Sequence, residues 1–154
     1  MALKVTKVDV WAVEFPDEPG GLSKILVSLA EAGANLECII ARRQADKFRA
    51  GIAFITPLKG KKVMAAAKAA FVQPAEDLTT LRVEGLDKPG SCAAMTRAIA
   101  DAGISMRGVS SMSAGRNFVA YIGLDSKADA DAAIKILKKF DAPRLAPKRK
   151  LARA

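Results

Sequence analysis

Apolar and polar residues alternate at two places along the chain, and behind each the apolar positions switch to helical spacing. In VDVWAVEF, Trp11, Val13 and Phe15 alternate with Val10, Ala12 and Glu14, which predicts a strand with Glu14 on its outer face. Leu81 and Val83 alternate with Arg82 and Glu84 in the same way. After the first strand, Leu22, Ile25, Leu26, Leu29 and Ala30 fall at i, i+3, i+4, i+7 and i+8, and Cys92, Met95, Thr96, Ile99 and Ala100 occupy the corresponding places further on. That stripe predicts an amphipathic helix of about three turns, ended by Gly33 or Gly103 in the left-handed conformation.

Further strands are predicted over 35–42 and 48–55 in the first half and over 105–112 and 118–124 in the second, with RRQADK and SMSAGR as polar turns between them. Phe48, Ala50, Ile52 and Phe54 share one face of their strand, so this row is expected to point at the helices. Val8, Val10, Ala12, Ala53 and Ile55 then form an apolar outer face. Second helices fit 60–71, with Val63, Ala67, Ala70 and Phe71 inward, and 129–140, with Ala133, Leu137 and Phe140 inward. Pro74 and Pro143 fall where a last strand of each half would run, leaving at best a short edge strand.

The two halves are one unit written twice. Laying residues 13–68 over 83–138 without a gap gives twelve identities in fifty-six pairs, among them Val13/Val83, Asp17/Asp87, Pro19/Pro89, Gly20/Gly90, Gly33/Gly103, Phe48/Phe118 and Ile52/Ile122. Strand, helix, strand, strand, helix, strand is the ferredoxin-like βαββαβ order. The expected fold is therefore α+β: two ferredoxin-like modules, side by side, each an antiparallel sheet with both helices on one face. The modules are expected at 1–73 and 78–141, followed by a basic tail, 142–154.

Composition narrows the function. The chain has 154 residues and no histidine, which removes the usual general base and the commonest metal ligand, and with them the case for an enzyme, a cofactor site or a metal site. Cys38 and Cys92 are too few to staple a secreted domain and read as free thiols. No stretch approaches the roughly 20 apolar residues of a membrane helix, and the N-terminus lacks a secretory core, so a cytoplasmic protein is expected. The net charge of +9 invites a nucleic-acid partner. Five of those charges lie in the tail, however, and base-stacking aromatics are expected to be absent from the sheet surface, since Phe48 and Phe54 point with the hydrophobic row. No membrane partner is thus expected, nucleic acid is the less favoured partner, and the apolar outer face predicts a homo-oligomer, most simply a dimer.

The candidate site is the repeated acid, gap, proline, glycine of DEPGGL (17–22) and DKPGSC (87–92). Proline at the first helical position fixes φ, and glycine lets the chain turn closely into the helix. The first turn then offers unpaired N–H groups and the positive end of the helix dipole to a small carboxylate. Asp17 or Asp87 either caps those groups or faces outward to accept an ammonium. Amide donors for an acid and a carboxylate for an amine match the two ends of a free amino acid.

The pattern D-x-P-G-x-L, an apolar helix and G-x-N resembles the ACT domain, a small-molecule regulatory module. The resemblance covers both halves, so nearly all of the chain before the tail looks like a tandem ACT protein with no catalytic domain. It implies amino-acid binding where the first loop of one module faces the second strand of its neighbour. Asp17, Gly20, Gly21 and Leu22 would grip the ligand backbone, and Asn35 would reach it across the module interface. In the second copy Asp87, Gly90, Ser91 and Cys92 take the loop positions and Ser105 replaces the asparagine, with one short hydroxyl where asparagine offers both donor and acceptor. The Cys92 thiol, in a helix's first turn but with no base to help it, reads as a packed small hydrophobe on the helix stripe and not as a redox or nucleophilic group. The alternative function is a scaffold whose ligand loops are vestigial and whose apolar sheet face binds a protein; a less favoured one is nucleic-acid binding through the basic tail.

Overall fold

The computed structural model describes residues 3–140; the expected tail at 142–154 and Pro143 lie outside them. In chain order the elements are β1 (Lys4–Val8), β2 (Trp11–Pro16), α1 (Gly21–Glu31), β3 (Cys38–Arg43), β4 (Ala50–Thr56), α2 (Lys61–Ala69), β5 (Gln73–Pro74), β6 (Thr79–Leu86), α3 (Ser91–Asp101), β7 (Met106–Ala114), β8 (Asn117–Leu124) and α4 (Lys127–Lys138). They build two antiparallel four-stranded sheets, ordered β3-β4-β2-β5 and β1-β6-β8-β7. The fold is α+β, two ferredoxin-like modules.

Contacts divide the chain into Lys7–Thr80 and a second unit that joins the N-terminal residues through Thr6 to those from Leu81 onward. The N-terminal residues, assigned from the sequence to the first module, thus belong to the second. Their strand β1 holds the edge beside β6 that the two-residue β5 holds beside β2. Leu3 and Val5 are buried in the second core with Leu81, Val83 and Phe118, and Lys4 pairs with Glu84 at 3.2 Å. Side chains of this kind contribute about 1.5–3 kcal/mol each when fully buried. The sequence placed a single strand through VDVWAVEF; the chain instead breaks at Asp9–Val10 and passes from one sheet to the other. Thr56 Oγ1 donates to the Asp9 carbonyl at 2.7 Å, and the Ala75 amide donates to the Val10 carbonyl, fixing that passage.

Each first helix ends as expected. Gly33 and Gly103 take φ of 95° and 76°. Their amides donate to Ala30 and Ala100, and the following amides of Ala34 and Ile104 donate to Leu29 and Ile99, the paired bonds of a Schellman cap. The buried residues of α3 are Ser91, Met95 and Ile99, so the stripe begins one residue before Cys92, whose thiol is exposed. The packed-hydrophobe reading of Cys92 is therefore incorrect. At the end of α2, Phe71 is also outside the core: it takes φ 59° and is 81% exposed, while Val72 turns inward in its place.

The expectation for the third strand fails by one residue. Gly51, Ala53, Ile55 and the final Thr56 are the buried positions of β4, with Ala53 and Ile55 in the core beside Val13, Leu29 and Val63. Ile52 and Phe54 face the other side with Ala12, Glu14 and Ile40. The apolar outer face predicted from Ala53 and Ile55 is accordingly not present as such, and Val8 belongs to the other sheet. Phe48 lies before the strand, 93% exposed.

The register shows why. Ile39 pairs with Ile55, and its counterpart Val109, seventy residues on, pairs with Ile122, only sixty-seven residues beyond Ile55. The first module therefore carries three extra residues in its β3–β4 connection, and the matches Phe48/Phe118 and Ile52/Ile122 join positions that are not equivalent. Gly51, opposite Phe15, is the counterpart of Phe118. A Cβ on Gly51 would lie 2.4 Å from the Phe15 ring, and one on Gly85, the counterpart of Phe15, would lie 2.9 Å from the Phe118 ring. Large and small residues have exchanged strands, so each module fills the same space with one phenylalanine.

Replacing Val5 with aspartate puts a charge in the second core and should cost at least about 2 kcal/mol. In hydrogen exchange, the amides of Ala120 and Ile122 in β8 should lose protection by a larger factor than those of Ala53 and Ile55 in β4. Equal loss in both strands would contradict the assignment of β1 to the second unit.

Candidate functional site

The residues 18–21 form a β-turn closed by the Gly21 amide donating to the Glu18 carbonyl at 3.0 Å. Pro19 occupies its second position and Gly20 its third, with φ 87° and ψ −7°, the geometry of a type II turn. Lys88, Pro89, Gly90 and Ser91 repeat it, with φ 84° and ψ 1° at Gly90. The proline is therefore a turn residue ahead of the helix, not its first residue. Glycine is required at Gly20 and Gly90 because that φ is strained for any side chain.

Neither helix has a side-chain cap. The first intrahelical bonds run from Lys24 to the Gly20 carbonyl and from Ala94 to the Gly90 carbonyl. The Gly21 and Ser91 amides close the turns, so the amides without a helical acceptor are those of Leu22 and Ser23 in α1 and of Cys92 and Ala93 in α3. Gly20, Gly21 and Leu22 do lie together at this end of α1, but Gly21 is already engaged and Ser23 was not anticipated.

Asp17 does not cap α1. Its carboxylate accepts from Arg43 Nε at 2.8 Å, and its amide donates to the Arg49 carbonyl at 2.9 Å. Asp87 is exposed, and its amide donates to the Arg116 carbonyl at 2.9 Å. Each loop is thus pinned to the neighbouring hairpin. Arg43 was missed by the sequence analysis; nothing in the pattern places it near Asp17 until the register sets it opposite Gly51, at the end of the sheet where Pro16 meets Ala50.

Asn35 stands at the other end. It precedes β3, whose first residue Cys38 pairs with Thr56, and the Glu37 amide donates to the Thr56 carbonyl. Six residue steps along β4 lead from Ala50 to Thr56, roughly 20 Å of strand. Asp17 and Asn35 are not brought together within their unit. Ser105 likewise precedes β7, while Asp87, Gly90, Ser91 and Cys92 cluster at the start of α3. Ser91 is 7% exposed, and its hydroxyl is buried with no hydrogen-bond partner among the described residues.

Beside the first loop, Lys47 and Gln44 donate to Glu14. The Lys47 bond first, then the Gln44 bond, hold the Glu14 carboxyl below its ordinary value. In the second unit burial raises the Glu84 carboxyl, and hydrogen bonds from Lys4 and Arg82 outweigh it, for a net lowering.

No family model matches the chain, and no curated protein matches it. Solved structures do. Protein BT0572 from Bacteroides thetaiotaomicron superposes with a TM-score of 0.72 at 16% identity, over 85% of this chain and 88% of that one. The ligand-free regulatory subunit of aspartate kinase from Thermus thermophilus gives 0.63 at 18% identity, covering 89% and 95%. Its counterpart from Thermus flavus gives 0.61 at 19%, with the same coverage. The chain therefore shares its fold with these regulatory subunits of aspartate kinase. Among the described residues no helix is long and apolar enough to cross a membrane.

Two measurements check this geometry. A Cβ on Gly21 would lie 2.1 Å from the Pro16 carbonyl oxygen, so Gly21→Ala should destabilise the chain by about 1–3 kcal/mol in urea unfolding. For Glu14, a folded value below the unfolded one stabilises above the unfolded value and is lost as pH falls through the folded one. Lys47→Met should move the Glu14 carboxyl back up in an NMR titration and flatten that acid-side loss.

Proposed function

We propose that the protein is a non-catalytic amino-acid sensor, in which a free amino acid binds where ACT-like modules meet and changes what a regulated partner sees. The observation that carries this reading is the duplicated, uncapped helix start. A type II turn sets two amides free at the head of α1 and again at the head of α3, each beside an aspartate that does not cap them. Such amides, with the helix dipole behind them, suit a carboxylate. The aspartate suits the ammonium, which would compete with Arg43 for Asp17 in the first copy; that surface pair is worth at most about 1 kcal/mol and yields readily.

The fold shared with aspartate kinase regulatory subunits supports a regulatory role. The separation of Asp17 from Asn35 within one unit supports a ligand gripped by two modules, since a second module must bring its own Asn35 or Ser105 to the first one's loop. A homodimer can supply that arrangement. Coupling of ligand to partner by about 1–3 kcal/mol would change partner affinity several-fold, and a small zwitterion held this way should bind at roughly micromolar to millimolar strength.

Calorimetry against the twenty amino acids is expected to give binding by at least one. Asp17→Ala should weaken that ligand by about tenfold, the effect of losing a charged hydrogen bond, and Asn35→Ala should weaken it in the same assay. Silence from all twenty would end the proposal, as would full binding by the Asp17 variant together with its Asp87 counterpart.

A further inference from the structure

The three extra residues of the first module lie in a connection that the fold does not need. The second module closes the same hairpin with the two-residue turn Gly115–Arg116, where Gly115 takes φ 61°. Residues 44–49 contain no glycine, and Arg49 takes the left-handed conformation instead, at φ 52°. The Gln44 amide donates to the Ala50 carbonyl, closing the loop at its neck. At its far side Phe48 stands 93% exposed, and Phe15 already fills the core position that Phe118 fills in the second module.

The loop is also basic. Arg42, Arg43, Lys47 and Arg49 surround Phe48 within eight residues, against the single acid Asp46. Arg42 and Arg49 have no ion pair among the described residues, and Arg43 and Lys47 hold exposed pairs with Asp17 and Glu14 that a phosphate can displace. The Arg49 guanidinium carbon lies 6.0 Å from the Phe48 ring centre, at the outer limit of a cation–π contact.

One bare ring among cations narrows the partner. A stable protein interface covers about 800 Å² on each side, and a membrane contact needs a cluster of apolar side chains; here the ring's loop neighbours are Gln44, Ala45, Asp46 and Lys47. A nucleobase needs only the ring, because stacking acts base by base, and the phosphates on either side of it need only point charges. We infer that the 42–49 hairpin of the first module is a contact for single-stranded nucleic acid, with a base stacked on Phe48 and phosphates on Arg42, Arg49 and their neighbours. The exposure of Phe48 removes one of the grounds on which the sequence disfavours nucleic acid, the expected burial of its aromatic row.

The test is fluorescence anisotropy of labelled oligouridylate U12 with the full chain at 50 mM salt, where the basic tail contributes equally to every variant. Phe48→Ala should weaken binding by at least about fivefold, and Phe48→Trp should retain it. Phe71→Ala, which removes the other highly exposed phenylalanine, should leave it unchanged. Arg42→Gln with Arg49→Gln should reduce the slope of log affinity against log salt by about 1.4. Wild-type affinity in the Phe48→Ala chain overturns the inference, as does an equal loss in Phe71→Ala. Tighter binding to phosphatidylserine vesicles than to U12 overturns it in favour of a membrane contact, and no binding of U12 overturns it outright.

Discussion

A ferredoxin-like sheet has one position to fill beside its first strand, and a short module that leaves it open exposes the core under its two helices. The first module fills it with Gln73–Pro74, a two-residue edge strand in which proline costs little because no further strand needs its N–H. The second fills it with β1, from the opposite end of the sequence. That choice ties the organisation together. Thr80 and Leu81 continue the chain from the first unit into the second, and β1 runs into β2 through two residues, so the first unit is inserted within the second. A chain built this way cannot be cut between its halves without removing a strand from one of them.

Within each module the hairpin end of the sheet positions the candidate loop. The Asp17 and Asp87 amides donate to carbonyls of residues at the hairpin turn, and this fixes the height of the loop above the sheet. The turn that follows is set by Pro19 and Gly20, or Pro89 and Gly90, and aims the next amides away from the helix. The packing beneath differs: Phe15 over Gly51 in one copy, Phe118 against Gly85 and Leu3 in the other. Gly21 has no room for a Cβ against the Pro16 carbonyl, whereas its counterpart is Ser91, buried with an unpartnered hydroxyl. The two loops share backbone geometry while their floors have diverged.

Local signals were legible in the sequence where one residue dictates one conformation. Gly33 and Gly103 announced helix ends, and the repeated proline and glycine announced a turn entering a helix, although the turn is type II and the proline precedes the helix. Alternation read β2 and β6 correctly because Glu14 and Glu84 mark an outer face. It failed at β4, where Phe48, Ile52 and Phe54 look more like a core row than Gly51, Ala53 and Ile55. Size misled there: the core has room at Gly51 only for the Phe15 ring, and an ungapped repeat hid the three residues that shift the register. The exchange of β1 and the Arg43–Asp17 pair were not legible, because both depend on which strands lie side by side, and local periodicity carries no information about that.

The same long-range placement decides what the site can be. Roughly 20 Å of strand between the Asp17 loop and Asn35 means that no single module can bring both to one small ligand. A site built from the residues that the ACT resemblance singles out must therefore be shared, and its affinity then depends on how two modules are held. In such a site the ligand is part of the packing between modules, so binding and module pose are linked through one free energy. On the proposed reading, regulation would need no catalytic residue: a ligand of a few atoms, held by amides and a carboxylate, would bias an arrangement many times its own size.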